Sequence, residues 1–210
     1  MSVAPEPSGN TDTSAAAAQD LALFPLGSVL LPGGLLPLRI FEPRYLELIG
    51  RCLRENHAFG VVLITRGSDT DSAVSTAEVG TSARVIDFQP MPDGLLGVLC
   101  RGERRFRILE RSQQPNGLNR ARVQWLSEPA PTPPALQFAA LVSALRKAIA
   151  SLVNSQRFIE PRYEDAGWVS HRLAELLPLE PGLLQRLLEM DDPRARLQLL
   201  APLLEQHGLR

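Results

Sequence analysis

Leu23-Phe24-Pro25-Leu26-Gly27 and, further on, Pro37-Leu38-Arg39-Ile40-Phe41-Glu42-Pro43-Arg44-Tyr45 decide how this chain folds. Two apolar runs, Leu21–Leu26 and Leu35–Ile40, bracket Pro32-Gly33-Gly34, a turn in which glycine supplies positive φ. A helix must start straight after the second run. Glu42 stands in the capping position and Pro43 suits the first helical residue. Tyr45, Leu46, Leu48, Ile49, Cys52 and Leu53 then recur at helical spacing. Phe41 and Tyr45 are expected to pack in the core, with Glu42 as cap. The reading is strand, turn, strand, helix.

Downstream, the texture to about Glu128 is short strands. Phe59–Thr65 is rich in β-branched residues and reads as a strand buried on both faces. Arg66–Glu78 is polar and reads as a flexible loop. Thr81–Gln89 and Leu95–Leu109 flank Met91-Pro92-Asp93-Gly94. There proline fixes φ, aspartate bonds locally and glycine takes the left-handed position, so a hairpin is predicted. Arg120–Leu126 is a further strand. Residues 129–134 carry four prolines and break all regular structure. Beyond them the period becomes helical: Ala135–Asn154 with Leu141, Leu145, Ala148, Ile149 and Leu152 on one stripe, then Trp168–Leu177, Pro181–Met190 and Pro193–Gln206. Strands followed by helices argue for α+β. The expected organisation is a tail over 1–20, a β-rich unit over 21–128, a linker over 129–134 and a helical unit over 135–210. The tail lacks the apolar surface to offset its ordering entropy and reads as mobile.

Composition narrows the function. The chain has 210 residues, 44% of them hydrophobic and 5% aromatic, which suits a globular core filled by aliphatic side chains. A net charge of −1 argues against a general polyanion binder. Cys52 and Cys100 stand far apart in apolar contexts and read as buried free thiols. His57, His171 and His207 form no metal-like spacing, so no metal and no cofactor is expected. No apolar run is long enough for a membrane span, and no secretory leader is evident. The expectation is a cytoplasmic protein away from the membrane.

The opening stretch resembles the signature of the Lon-protease N-terminal domain family. Val79-Gly80-Thr81 through Gly102-Glu103-Arg104-Arg105-Phe106-Arg107-Ile108 is similar to that family's central hairpin. Glu175-Leu176-Leu177-Pro178 and Leu187-Leu188-Glu189-Met190-Asp191-Asp192-Pro193-Arg194-Ala195-Arg196-Leu197 resemble its C-terminal segment. The resemblance runs from Leu21 almost to the end, in the right order. It implies a PUA-like mixed β pseudo-barrel followed by a helical bundle. It also implies binding of unfolded or degron-bearing polypeptides, in cooperation with a protease or chaperone, and it transfers no catalytic residue. No glycine-rich phosphate loop precedes Lys147, so a stand-alone recognition or adaptor module, not an enzyme, is expected. The oligomeric state is left open.

Pro32, Gly33, Gly34, Leu35, Leu36 and Arg39 are the candidate polypeptide-binding residues, on a strand edge or in a groove between barrel and helices near Pro32–Leu36 and Arg66–Glu78. Phe41, Glu42, Pro43, Arg44 and Tyr45 form the structural motif. Arg101, Arg105 and Arg107 fall on one strand face and Arg104 on the other. Glu103 and Glu110 interrupt this run, which is expected to be a solvated, ion-paired face. Asp69, Asp71 and Glu78 lack EF-hand spacing. Glu160, Glu164, Asp165 and His171 straddle a loop and a helix start, where Asp165 serves as a charge partner for the helix. Two rival functions remain: a PUA-like RNA-binding module, and an enzyme with a small ligand in the barrel–bundle cleft.

Overall fold

The computed structural model describes residues 18–67, 74–152 and 158–207. Seven strands are present among them: β1 (Gln19–Leu26), β2 (Leu35–Ile40), β3 (Phe59–Arg66), β4 (Ser75–Thr76), β5 (Val79–Pro90), β6 (Leu96–Gln113) and β7 (Asn119–Trp125). The helices are α1 (Pro43–Glu55), α2 (Ala139–Ala150), α3 (Ala166–Glu175), α4 (Pro181–Glu189) and α5 (Pro193–Gln206). A short 3-10 turn, Leu136–Phe138, leads into α2. β1 therefore starts two residues before the expected strand at Leu21. Among the described residues, no helix is long and apolar enough to cross a membrane.

The strands close on themselves. The sheet order is β1-β7-β6-β5-β3, and β3 returns to β1 through a parallel pairing of Leu23–Leu26 with Gly60–Leu63. β6 is long enough to serve two neighbours on one edge. Its first part pairs with β2, from Leu35 opposite Arg101 to Ile40 opposite Leu96, and its second part pairs with β7. β3 is buried from Phe59 to Leu63 because both its faces are covered. Leu21, Leu23, Val62, Phe106, Ile108, Ala121 and Val123 fill one part of the barrel. α1 covers the other, its Tyr45, Leu48, Ile49 and Cys52 packing with Phe24, Phe59, Val98 and Cys100. Both cysteines are free and buried.

The turns behave as their residues dictate. Gly94 sits at φ +80°, the Gly94 amide donates to Met91 O at 2.9 Å and Leu95 N donates to Asp93 Oδ1 at 3.1 Å. Gly33 sits at φ +75°, and the adjacent Gly34 amide donates to Leu31 O at 2.9 Å. Two expectations at the helix start need correction. Phe41 is 57% exposed, because it occupies the corner between the end of β2 at Ile40 and the start of α1 at Pro43, outside the cores that both elements build. Glu42 makes no capping bond; its carboxylate accepts from Arg44 Nε at 2.7 Å instead. Tyr45 is buried and stacks on Phe24 with ring centroids 3.9 Å apart.

Residues 126–135 carry no regular structure, and the helices beyond pack back onto the barrel. Leu31 and Val79 of the barrel share one apolar cluster with Leu145, Val169, Leu173, Leu187, Leu197 and Leu200 of the helices. α3 is capped by Asp165, which accepts from Gly167 N at 2.9 Å, and α5 by Asp192, which accepts from Arg194 N at 2.8 Å. α2 ends at Ala150, so Leu152 falls outside its stripe and is 42% exposed.

Candidate functional site

Where barrel and helices meet, a cleft of about 790 Å³ opens. Its first wall is the Pro32-Gly33 turn with Arg101–Arg104 of β6; its second is the extended segment Glu128–Pro131. Phe158, Glu160 and Arg162 border it, and Trp168, His171 and Arg196 form the helical side. The wall turn is seated by reciprocal backbone bonds: Gly33 N donates to Gly102 O at 2.7 Å and Gly102 N donates to Gly34 O at 2.9 Å. That close approach demands glycine at 102, where a Cβ would lie 2.4 Å from Leu31 O.

Polar side chains staple the two layers together around this cleft. Arg105 leaves β6 and enters the helices, where it is fully buried. Its Nε donates to Glu128 Oε1 at 2.8 Å, Nη1 to Leu188 O at 3.0 Å and Nη2 to Asp191 Oδ1 at 3.0 Å. The expected solvated face is thus wrong for Arg105: strand alternation assigns a face but not what covers it. Arg107 is exposed as expected, 4.0 Å from Glu78. Arg172 of α3 donates from Nη2 to Pro32 O at 2.9 Å and pairs with Glu175 at 2.9 Å. Gln185 of α4 donates to Val79 O at 3.0 Å. Arg101 donates to Phe158 O at 2.7 Å and pairs with Glu160.

His171 is buried against this network and makes no hydrogen bond to any described residue; its Nε2 is sealed from solvent. Burial, with Arg196, Arg172 and Arg105 adding, holds its pKa well below the usual 6.5, so the ring is neutral. Burial likewise pushes Arg196 down to about 10, Arg105 contributing in the same direction.

Of the residues singled out from sequence, Pro32 and Gly33 line the cleft. Gly34 is buried behind them, while Leu35, Leu36 and Arg39 run away down β2, Arg39 pairing with Asp93. Asp69 and Asp71 lie outside the described residues. Of Glu160, Glu164, Asp165 and His171, all but Glu164 border the cleft, but the carboxylates are engaged: Asp165 caps α3, Glu160 pairs with Arg101, and Glu164 stands 3.8 Å from Arg146. Among the described residues, no cluster of histidine, cysteine and carboxylates suits a metal. Trp168 and Arg196 are not singled out from sequence as site residues: Trp168 shows only as the start of a helix, and Arg196 only as part of the stretch that resembles the family's C-terminal segment.

A second cleft of about 510 Å³ lies between β1, the end of α1 and Trp125. Its four arginines, Arg51, Arg84, Arg104 and Arg120, face three carboxylates, Asp20, Glu55 and Glu103.

The model of the ATP-dependent protease La (LON) substrate-binding domain family matches residues 20–206. The Lon protease of Methylocella silvestris is 26% identical over 210 residues, a match spanning 97% of this chain and 26% of that protein. Protein cereblon of Danio rerio is 29% identical over 114 residues, 52% of this chain and 26% of that protein. The chain thus spans about a quarter of the length of these relatives. A crystal structure of a Lon N-terminal domain protein from Xanthomonas campestris superposes with a TM-score of 0.72 at 39% identity, over 87% of this chain and 98% of that one. The N-terminal domain of the Mycobacterium avium complex Lon protease shares the fold, with a TM-score of 0.63 at 18% identity, over 90% of this chain and 100% of that one. With the family model covering nearly all of the described residues, this chain belongs to the Lon substrate-binding domain family.

Proposed function

We infer that this chain is a non-catalytic polypeptide-recognition or adaptor module, which captures extended or partly unfolded segments in the barrel–bundle cleft. It would present them to a protease or chaperone in the cytoplasm, a compartment that suits two free cysteines within one apolar cluster. The observation that carries this reading is the construction of the cleft. Its volume of about 790 Å³ falls in the ligand-binding range of roughly 300–1,000 Å³, room for a few residues of extended chain. Trp168, Phe158, Pro32, Pro129 and Pro131 give it apolar walls, and rigid elements hold its polar groups. Apolar contact plus a few fixed donors reads features that many clients share.

The arginines speak against RNA as the ligand. Arg84 pairs with Glu103 at 2.5 Å, Arg101 with Glu160 at 3.2 Å and Arg122 with Glu110 at 3.0 Å, and Arg105 is consumed inside. A salt titration with a permanently unfolded polypeptide and with a structured RNA tests the reading. Polypeptide binding should persist as salt rises, because apolar burial is not screened, while RNA binding would fall steeply. Salt-sensitive RNA binding without polypeptide binding would overturn it. Neither ATP nor labelled casein should be turned over.

A further inference from the structure

Arg105, Arg172 and Arg196 are all nearly inaccessible, but they are not equally compensated. Arg105 is paired with Glu128 and Asp191, and Arg172 with Glu175. Arg196, 1% exposed, meets no carboxylate within ion-pair distance among the described residues. Its Nε donates to Ser170 Oγ at 3.0 Å and its Nη1 to Met190 O, while Nη2 has no partner among the described residues. Glu128, Asp191 and Asp192 act on its charge only from beyond pairing distance, and a buried cation without a directly bonded counter-charge is costly.

Nη2 of Arg196 lies next to Gly167, and both residues border the cleft. A Cβ added at Gly167, a lining residue, would stand 3.8 Å from it, so glycine leaves that approach open. Two further polar groups wait beside it. Trp168 and His171, three positions apart on one face of α3, both border the cleft and are 8% and 3% exposed. The indole N–H of Trp168 and both ring nitrogens of His171 lack hydrogen-bond partners among the described residues. The carboxylates of the cleft, by contrast, are engaged. Glu103 pairs with Arg84, Glu128 with Arg105 and Glu160 with Arg101, and Asp165 accepts from the Gly167 amide. The unmatched groups are a guanidinium, an indole donor and an imidazole.

We propose that Arg196, with Trp168 and His171 beside it, binds a carboxylate carried by the polypeptide in the cleft, either an Asp or Glu side chain or the chain's terminal carboxylate. This rests on the cleft being the polypeptide site. Guanidinium–carboxylate contacts are charge-assisted and gain from a dry setting. An acidic group would then set the register of a segment that the apolar walls hold without sequence preference.

The test uses the full chain, labelled with nitrogen-15, and three short leucine–serine peptides at fixed ionic strength. One carries a central Asp and an amidated end, one a central Asn and an amidated end, and one a central Asn and a free end. A carboxylate-bearing peptide should bind about tenfold tighter than the neutral one and shift the Trp168 indole signal. Which of the two does so identifies the source of the carboxylate. Arg196→Gln should reduce its affinity to that of the neutral peptide and leave the neutral peptide unchanged. If Arg196→Gln does not fold, Trp168→Phe, which removes only the indole donor, should reduce the preference for the acidic peptide. Equal binding of all three peptides, or a preference that survives in Arg196→Gln, overturns the carboxylate site and leaves polypeptide capture standing. No binding by any peptide overturns both.

Discussion

Arg105 of β6 reaches Asp191, between α4 and α5, through an Nη2–H···Oδ1 bond of 3.0 Å. The same guanidinium donates to Leu188 O at 3.0 Å and Met190 O at 3.3 Å, carbonyls at the end of α4 that have no partner further along that helix. A barrel cation thus serves as the C-terminal cap of a bundle helix, where the helix dipole favours positive charge.

Arg105→Ala should therefore destabilise by about 3 kcal/mol, since several bonds of a buried charge are lost together. Arg107→Ala, two residues on and exposed, should stay within about 0.5 kcal/mol. Denaturant unfolding of both variants checks the contrast, and equal effects would contradict it.

Tyr45→Ala should cost roughly 3 to 5 kcal/mol, because a buried ring stacked on Phe24 leaves a cavity. Phe41→Ala should cost less than about 1 kcal/mol, as its side chain is more than half exposed. Paired melting curves read this directly, and a larger loss at Phe41 would place that side chain in the core.

Gly102→Ala should destabilise by roughly 1 to 3 kcal/mol through overpacking, since the new methyl would press on Leu31 O, a backbone atom. Gly182→Ala, whose Cβ would meet nothing within 4 Å, serves as the control. Amide exchange at Gly33 should speed up in Gly102→Ala if the turn is released.

Stability should fall on acidification through His171. Its folded pKa is depressed below the unfolded value near 6.5, so its contribution is complete above that value and is lost as pH falls from there towards the folded pKa. The slope from this one group is about 1.4 kcal/mol per pH unit. His171→Gln does not titrate, so the stability gap between wild type and variant should shrink with falling pH. A gap that widens would contradict a buried neutral imidazole.

Local signals were legible in the sequence because neighbours in the chain enforce them. Met91–Gly94 turns by its own proline, aspartate and glycine; Pro43, Pro181 and Pro193 each open a helix; Phe59–Leu63 is apolar enough to demand cover on both faces. What escaped was non-local. The alternation of β6 put Arg105 on one face, but the groups that hold it inside arrive 22 to 86 positions later. Phe41 looked like core because aromatic residues usually are, yet the corner between β2 and α1 leaves it more than half exposed. The cleft draws on the Pro32 turn, β6, the proline-rich segment, α3 and α5, so periodicity within any one element carries no sign of it.

Hydrogen exchange of the full chain with and without a saturating, reduced and alkylated unfolded polypeptide tests the central claim most directly. Protection should appear at Gly33, Arg101–Arg104, Ala130 and the start of α3, and leave α1 and β7 unchanged. Protection confined to α1, β1 and β7 around the second cleft, or none at saturation, would contradict capture in the barrel–bundle cleft.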